Sequence, residues 1–494
     1  MSFWTYLLFG TVYLIITYVG KTFDGETLLL IKSLYLTVYL LTEILILRYQ
    51  DRKNWMISPV VLASVFTFII GYGITNLIYF VPNSETRDKI IFRLGDSSFT
   101  LVNTAMDAVF IGAVFMWIGY RSNLGIFLFK FMTTTLFNVK KYFRTSFNYN
   151  KKLIFSLIII SASVRIYAMT LGVYGYANTP EQIAKAADIS QYLNYLGLAS
   201  RFALLIVSFA YFSSPKQSRT DFYILITLVA VEVFFGLMSG MKTLVIIPFV
   251  IPFLTYFILK RHIKKSLLLF AAASVILAYV IIEPFRMLSI IDPNFKSSPK
   301  YILQTLYNAY ILNKQIGIIE ETDTEFFLFA VLGRANYLVE AAMAMDYKDK
   351  VGLSENDPDF ANRLFFAPLH AVTPRFLWKD KPMENVGLWF TRQVWGLNFY
   401  TSTAVTPFGF LYLAGGYTLI IIFFFIFGIM QNTLLRFIDF KAGGIVIFLA
   451  LLPSLVLIDH VVNSIFISWI RFYPAIILLQ YLVLKDDNSI YVID

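Results

Sequence analysis

Long apolar runs separated by short polar loops make up most of this chain. The runs are about 20 residues long, which matches the roughly 30 Å hydrocarbon core of a bilayer. They predict transmembrane helices rather than the core helices of a soluble domain. The predicted spans are twelve, at about residues 2–20, 28–48, 56–80, 99–119, 153–172, 194–212, 222–239, 242–259, 266–283, 407–429, 442–460 and 463–484.

One segment, residues 284–406, breaks the pattern. It carries twelve Lys and Arg against thirteen Asp and Glu and contains no clean span. A connection of this length in a tight bundle is usually functional. Its apolar, helix-periodic pieces predict amphipathic helices on or in the outer leaflet. Those pieces are residues 301–319, 326–345 and 360–372.

The domain organisation follows from this break. Residues 1–283 form a predicted transmembrane bundle of helices 1 to 9, and residues 284–406 form a large external, helical loop. Residues 407–485 supply helices 10 to 12, and residues 486–494 form a cytoplasmic tail. The predicted fold class is therefore an all-α polytopic integral membrane protein.

Lys and Arg in the short loops predict the orientation. Residues 121–152 carry seven of them, and residues 260–265 carry four. Both loops lie on the same side if both termini are cytoplasmic, as the positive-inside rule requires. The first apolar run has neither a basic segment before it nor a small-residue cleavage site, so we expect it to be retained.

Composition limits the chemistry. Hydrophobic residues make up 58% of the chain, which fits a membrane protein. The net charge of +10 lies largely in the short loops, so it does not indicate nucleic-acid binding. The chain has no cysteine and only three histidines, which excludes disulfides and thiolate sites and leaves little for a His-rich metal site. We expect no metal and no cofactor.

Arginines inside the predicted spans indicate an anion. Arg165, Arg201 and Arg471 lie near one depth on the predicted outer side, with too few acids to pair with all of them. Ionisable groups inside spans are costly and usually face a cavity or a partner. Because the guanidinium group binds phosphate oxygens bidentately, phosphate is the expected ligand, with purely structural roles as the alternative.

Other polar residues of the spans have structural interpretations. Lys32, near the start of its span, is expected to snorkel to the interface. Asp107 and Glu232 are expected to be buried hydrogen-bonding partners. In MSGMKTL, residues 238–244, Gly240 is expected to form a tight turn that leaves Lys242 at the outer interface.

The external segment contains a rigid, basic, aromatic decapeptide, TPRFLWKDKP, at residues 373–382. Thr373 and Pro374 would begin a short helix, or the segment would be extended between its prolines. In both conformations cations lie beside aromatic rings. Cations suit a diphosphate and a Trp ring suits the apolar face of a sugar; the alternative is a structural loop with its Trp at the membrane interface.

These motifs resemble the bacterial O-antigen and capsular repeat-unit polymerases, the Wzy type. GLWFTRQVWG at 387–396, GFLYLAGGY at 409–417 and the SGMKT turn at 239–243 contribute to the resemblance, as does a bundle with one large late external loop. The decapeptide matches the family pattern at Pro374, Arg375, Trp378, Lys381 and Pro382.

The resemblance implies a fold like that of the lipid-carrier-dependent GT-C glycosyltransferases. The implied activity joins undecaprenyl-diphosphate-linked oligosaccharide repeat units outside the cytoplasmic membrane of a bacterium. The growing glycan moves to the next unit, and undecaprenyl diphosphate leaves. The implied partners are that lipid-linked oligosaccharide, membrane lipid, a chain-length regulator and a flippase, with no nucleic acid.

The leaving diphosphate needs cations to stabilise its developing charge, and the acceptor hydroxyl needs a base within reach. We expect the cations to come from Arg165, Arg201, Lys242, Arg286, Arg334, Arg363, Arg375, Lys381 and Arg471. The candidate bases are His370, Glu340, Asp380 and His460. The candidate sugar contacts are Trp378, Trp389 and Trp395.

Three other activities fit parts of the pattern. An O-antigen ligase of the same superfamily would have a similar loop and similar arginines. A lipid-linked oligosaccharide flippase or other transporter fits the span count, but transporters usually show two related halves, and none are visible here. A membrane-bound acyltransferase would need a histidine in a span, and only His460 lies near one. The acid pair Asp357 and Asp359 could bind a metal, but ENDPD favours a solvated turn.

Overall fold

A computed structural model gives the fold of the chain. It describes residues 3–80, 98–135, 142–144, 146–175, 187–214, 218–260, 262–275, 278, 282, 336–373, 377–378, 381, 386–397, 403–456 and 462–485. These residues form helices joined by turns, and none of them belongs to a β-strand of a sheet. The predicted all-α class is confirmed for this part of the chain.

The α-helices are numbered here in chain order. They are α1 (Phe3–Val19), α2 (Gly25–Gln50), α3 (Pro59–Ala63), α4 (Ser98–Arg121), α5 (Leu124–Lys130), α6 (Lys151–Thr170), α7 (Ala187–Gly197), α8 (Ala199–Ser213), α9 (Arg219–Ser239), α10 (Lys242–Lys260), α11 (Lys265–Val275), α12 (Leu338–Lys350), α13 (Phe360–Phe365), α14 (Ala367–Val372), α15 (Val386–Gln393), α16 (Pro407–Leu435), α17 (Lys441–Val456) and α18 (Val462–Val483). After α3 the chain continues as a π-helix and a 3-10 helix to Phe80.

Helix starts follow from local hydrogen bonding. The Asp24 carboxylate accepts from the Thr27 amide at 3.0 Å and caps α2. The Asn150 side chain accepts from the Lys152 amide at 3.1 Å and caps α6. Thr406 caps α16 and is followed by Pro407 at the first helical position. Each cap satisfies a backbone N–H that has no partner within its helix.

Nine helices of the described residues are long and apolar enough to cross a membrane, so the chain is a polytopic helical membrane protein. They are Gly25–Gln50, Pro59–Leu77, Ser98–Arg121, Lys151–Thr170, Tyr192–Ser213, Arg219–Ser239, Lys242–Lys260, Pro407–Asp439 and Val462–Val483.

The other three predicted spans correspond to shorter helices. Helix α1 has 17 residues. The other two are shorter apolar helices, Lys265–Val275 in α11 and Ala442–Val456 in α17. The last residues of the predicted spans 266–283 and 442–460 lie mostly outside the described residues. The count of twelve therefore remains a prediction.

The chain divides into two compact units. The first comprises Met1–Lys141, Asp323–Asp439 and Leu451–Ala475. The second comprises Tyr142–Thr322, Phe440–Ala450 and Ile476–Asp494.

Helices α4 and α16 form the core of the first unit. A Cβ added to Gly119 would lie 2.0 Å from the Phe425 carbonyl oxygen, and one added to Gly428 would lie 2.0 Å from the Met116 carbonyl oxygen. The two backbones therefore approach as closely as glycine allows, as is common between membrane helices. Helix α12 packs against both α4 and α16, and its residues Ala341 and Ala344 lie against Gly409 of α16 in α16's first turn.

Two buried ion pairs lie in the first unit. The Lys32 ammonium lies 2.6 Å from the Asp107 carboxylate, which also accepts from the Tyr13 hydroxyl at 2.9 Å. Lys32 is only 1% exposed, so the prediction that it snorkels is wrong, because a partner within the protein stabilises its charge. The second pair joins Arg121 to Glu43 at 2.5 Å.

The segment predicted to be external, residues 284–406, is described in parts. Helix α12 covers the later part of the predicted helix 326–345 and extends beyond it to Lys350. The predicted helix 360–372 forms two helices, α13 and α14, with a break at Phe366. Pro368 lies at the start of α14, where proline is tolerated. The predicted helix 301–319 lies outside the described residues.

Helices α6, α8, α9 and α10 form the centre of the second unit, with α8 packed against the other three. Lys151, Arg219 and Lys260 lie at the ends of helices at one end of this bundle. The opposite end contains the turn between α9 and α10 and the buried arginines described next.

Candidate functional site

Two arginines share one carboxylate inside the second unit. Arg165 of α6 places Nη1 2.8 Å from Glu232 Oε1 and donates from Nη2 to Oε2 at 3.1 Å. Arg201 of α8 donates from Nε to Oε2 at 2.9 Å. Glu232 of α9 is fully buried and lies about two turns before the end of its helix. Three helices thus bring two cations to one anion, and the cluster has a net charge of +1.

Two serines complete this cluster. The Ser200 hydroxyl donates to Glu232 Oε1, so four donors saturate the carboxylate. The Ser161 hydroxyl donates to the Gly197 carbonyl oxygen at 2.7 Å and lies 2.7 Å from the Ser200 hydroxyl. A carboxylate with four donors in a buried site is held ionised and in one position.

The two arginines differ in what they can still bind. The Arg165 side chain is 5% exposed, uses both terminal nitrogens on Glu232 and lies 5.0 Å from the centre of the Phe235 ring. The Arg201 side chain is 18% exposed and uses only Nε. Its terminal nitrogens have no hydrogen-bond partner among the described residues. A guanidinium fork anchored through Nε, with excess positive charge, is suited to a phosphate or carboxylate ligand.

The SGMKT turn lies at the same end of this unit. Gly240 has φ 66° and ψ 16°, the left-handed conformation that glycine adopts without penalty, and it ends α9 as predicted. Lys242 begins α10 directly after the turn. The Tyr174 hydroxyl donates to the Phe235 carbonyl oxygen at 2.9 Å. Burial raises the pKa of Tyr174 to about 12, against the lowering effect of Arg165 and Arg201, so the phenol stays neutral beside the cluster.

In the first unit, two predicted cations lie at the end of α14. The Lys381 ammonium donates to the carbonyl oxygens of His370 at 2.6 Å and Thr373 at 3.2 Å. Arg471 donates from Nε to the Ala371 carbonyl at 2.5 Å and from Nη2 to the His370 carbonyl at 2.9 Å. Cations at the carboxyl end of a helix satisfy its last carbonyls and its dipole. Arg471 of α18 therefore holds the end of α14, and Lys381 closes the decapeptide back onto the same end.

His370 is the buried histidine of this group. It is 5% exposed, and its ring lies 5.1 Å from the Trp378 ring at an interplanar angle of 59°. Burial, and then the nearby Lys381 and Arg363, lower the pKa of His370 below its usual value. The imidazole is therefore neutral at neutral pH, the state that a general base requires.

A separate aromatic group surrounds Trp389. Its indole N–H donates to Asp357 at 3.1 Å, and its ring lies 5.1 Å from that of Phe360. Asp357 also accepts from the Ser354 amide at 2.6 Å, and Asp359 accepts from the Asn362 amide at 2.9 Å at the start of α13. The ENDPD acids thus stabilise a turn and a helix start, as the turn interpretation predicts. No group of three His, Asp or Glu side chains within the described residues is arranged to hold a metal ion.

The remaining predicted residues are distributed as follows. Glu340 lies in α12 and Trp395 just after α15, so neither belongs to the arginine cluster of the second unit. Arg363 lies in α13, and its positive charge helps to lower the pKa of His370. Outside the described residues lie Arg286, Arg334, Arg375, Asp380 and His460.

The sequence interpretation missed the two serines of the cluster and the tyrosine beside it. Ser161 precedes Arg165 by one helical turn, Ser200 precedes Arg201 directly, and Tyr174 lies after α6. A signal was available for Ser161 only, because a small polar residue one turn from an arginine of the same helix shares its face. The pairing of these residues with Glu232 needed the tertiary structure.

Comparisons with protein-family models, with curated proteins and with solved structures find no match to this chain. The family resemblance therefore depends on the motifs quoted above. The roles assigned below depend on the contacts of this chain's own residues.

Proposed function

We propose that this chain is a membrane glycosyltransferase that polymerises undecaprenyl-diphosphate-linked oligosaccharide repeat units. It would act in the bacterial cytoplasmic membrane, with about twelve GT-C-like spans, both termini cytoplasmic and its active site facing outward. The products belong to O-antigen, capsule or exopolysaccharide synthesis. A chain-length regulator and a flippase would act beside it.

The observation that carries the proposal is the shared carboxylate of Arg165 and Arg201. One negative charge serves two cations, and the terminal nitrogens of Arg201 have no partner among the described residues. The cluster lies at the end of its bundle away from the basic loops, which is the predicted outer side. A lipid-linked diphosphate presents oxygens at this depth, and a guanidinium fork binds them.

The reaction places clear demands on the protein. A hydroxyl of the incoming unit attacks the anomeric carbon of the growing chain, and a carbon–oxygen bond forms there. The bond from that carbon to the diphosphate breaks, and its electron pair leaves with undecaprenyl diphosphate. The hydroxyl proton passes to a base. Arg201 would stabilise the charge that develops on the diphosphate.

A surface-polysaccharide gel of a clean deletion strain tests the proposal. Loss of the long ladder, with single repeat units still reaching the surface, is the expected result. Long chains that remain on the lipid carrier would identify a ligase instead. Absence of any external glycan would favour a flippase.

Point variants then test the site. Arg201→Ala should shorten or abolish the ladder at normal protein abundance. Arg219→Ala is the matched control, because Arg219 is an exposed arginine at the opposite end of the bundle. An unchanged ladder in Arg201→Ala would refute the assignment of the diphosphate site. An impermeant label that reached residues 373–382 only from the cytoplasm would refute the orientation.

A further inference from the structure

A polar cavity lies at the carboxyl ends of three long helices of the first unit. Helices α2, α4 and α16 end beside it, and its volume is about 350 Å³. These ends face away from the ends that bear Gly25, Ser98 and Pro407. Under the positive-inside prediction, the cavity is at the cytoplasmic surface of the membrane. None of the residues assigned to the polymerase site lines it.

The cavity offers donors for an anion. Arg121 and Arg436 both line it. Arg121 donates from Nη2 to Glu43 at 2.5 Å and from Nη1 to Gln50 Oε1 at 3.5 Å, and its buried Nε has no hydrogen-bond partner. Arg436 donates from Nε to Asn432 Oδ1 at 3.2 Å, and its terminal nitrogens have no partner among the described residues. A phosphate on the terminal nitrogens of Arg436, beside Arg121, would satisfy those donors.

The cavity also offers acceptors for a cation. Asp51 and Asp439 line it. Asp51 accepts from the Asn54 amide through Oδ1 at 3.0 Å, whereas the Asp439 carboxylate makes no hydrogen bond or ion pair with the described residues. The carboxyl ends of the three helices add partial negative charge. An ammonium group would be stabilised by these carboxylates.

The mixture of cations and carboxylates in the lining selects the ligand. An inorganic phosphate would satisfy the arginines but would be repelled by two carboxylates. A simple cation would be repelled by the arginines. We infer that the cavity binds a phosphoethanolamine headgroup, whose phosphate lies on the terminal nitrogens of Arg436 beside Arg121 and whose ammonium lies on Asp51 and Asp439. The same headgroup occurs in a membrane phospholipid and in its soluble deacylated ester.

The test uses the purified full chain, delipidated in detergent, and its melting midpoint. The probes are phosphatidylethanolamine, phosphatidylglycerol, phosphatidylcholine and soluble glycerophosphoethanolamine. Phosphatidylethanolamine should raise the midpoint most, since phosphatidylglycerol lacks the ammonium and the methylated phosphatidylcholine cannot donate hydrogen bonds. Stabilisation by the soluble ester as well would support the site and assign a soluble ligand. Stabilisation by the lipid alone would assign the membrane.

Two variants locate the binding. Arg436→Gln should weaken phosphatidylethanolamine binding at least about tenfold, the effect of losing one charge-assisted hydrogen bond. Asp439→Asn is nearly isosteric at an exposed position, so it should fold normally and should abolish the preference over phosphatidylglycerol. Arg52→Gln is the control, because Arg52 is an exposed cation next to the cavity residue Asp51.

Three results would overturn the inference. The first is equal stabilisation by phosphatidylglycerol and phosphatidylethanolamine in the unmodified chain. The second is an equal effect of Arg436→Gln and Arg52→Gln on affinity. The third is no stabilisation by either the lipid or the soluble ester.

Discussion

Replacing Glu232 by glutamine should destabilise the chain strongly. The change keeps the shape of the side chain but leaves two guanidinium groups beside a neutral amide. The carboxylate is fully buried, and Arg165 is 5% exposed, so solvent cannot compensate. Removing one partner of a buried ion pair costs about 3–5 kcal/mol. At 1.36 kcal/mol per decade, the folded-to-unfolded ratio should fall roughly 150- to 5,000-fold.

The same contacts predict how the stability costs of substituting the three charged residues should rank. Arg201 is 18% exposed and contributes one bond to Glu232, so Arg201→Ala should cost only about 1 kcal/mol after allowance for solvent. Arg165→Ala removes two bonds and a buried guanidinium, and its cost should lie between those of the other two variants. The effect on polymer length should not follow this order, because Arg201 is the arginine with nitrogens left for substrate.

Reversible unfolding in mixed micelles, followed by circular dichroism, measures these free energies. The double variant Arg165→Met with Glu232→Gln is the decisive control. It leaves a single cation in place of two and should be more stable than Glu232→Gln alone. A cost below about 1 kcal/mol for Glu232→Gln, or no recovery in the double variant, would refute the account of a cluster held by one buried carboxylate.

Three further predictions concern the first unit. The NMR titration of His370 should have its midpoint below the ordinary value of about 6.5, because burial and the cations lower its pKa, and Lys381→Met should raise it. Since the folded state resists protonation, stability present above about pH 6.5 should be lost as the pH falls toward that lowered pKa, and a His370→Gln melting series should lack this slope. Gly119→Leu should prevent the approach of α4 to α16 and abolish folded protein on size-exclusion chromatography, whereas Gly10→Leu, where an added Cβ meets nothing within 4 Å, should not. Asp107→Asn should cost about 3–5 kcal/mol in a denaturation assay, and adding Lys32→Met should recover part of it; additive costs would contradict the ion pair.

The sequence predicted the elements well because hydropathy decides where a membrane helix can form. Gly240 was predicted as a turn residue since only one conformation fits so short a connection. Lys32 was predicted to snorkel, and this was wrong, because the partner Asp107 is 75 positions away and no local pattern indicates it. The sharing of Glu232 by Arg165 and Arg201 was hidden for the same reason, although Glu232 was expected to be a buried hydrogen-bonding partner.

The decapeptide shows how a residue type can be predicted for one role and used for another. Lys381 and Arg471 were selected as cations for a diphosphate, yet both donate to carbonyl oxygens at the end of α14. Charge and position were enough to select them, but a free carbonyl at a helix end attracts the same side chains as a phosphate does.

A buried carboxylate beside a proposed anion site follows from the requirements of turnover. Without Glu232, Arg165 and Arg201 would repel each other, and a substrate would have to order both. With it, four donors fix the carboxylate, and Arg201 is anchored through Nε before any ligand arrives. The price is a net charge of +1 instead of +2, which weakens diphosphate binding. On the proposed function this weakening is useful, because the diphosphate would be the leaving group and each cycle would require its release. Glu232→Gln in a background stable enough to fold should therefore retain the lipid-linked diphosphate longer, and faster release from that variant would contradict this reasoning.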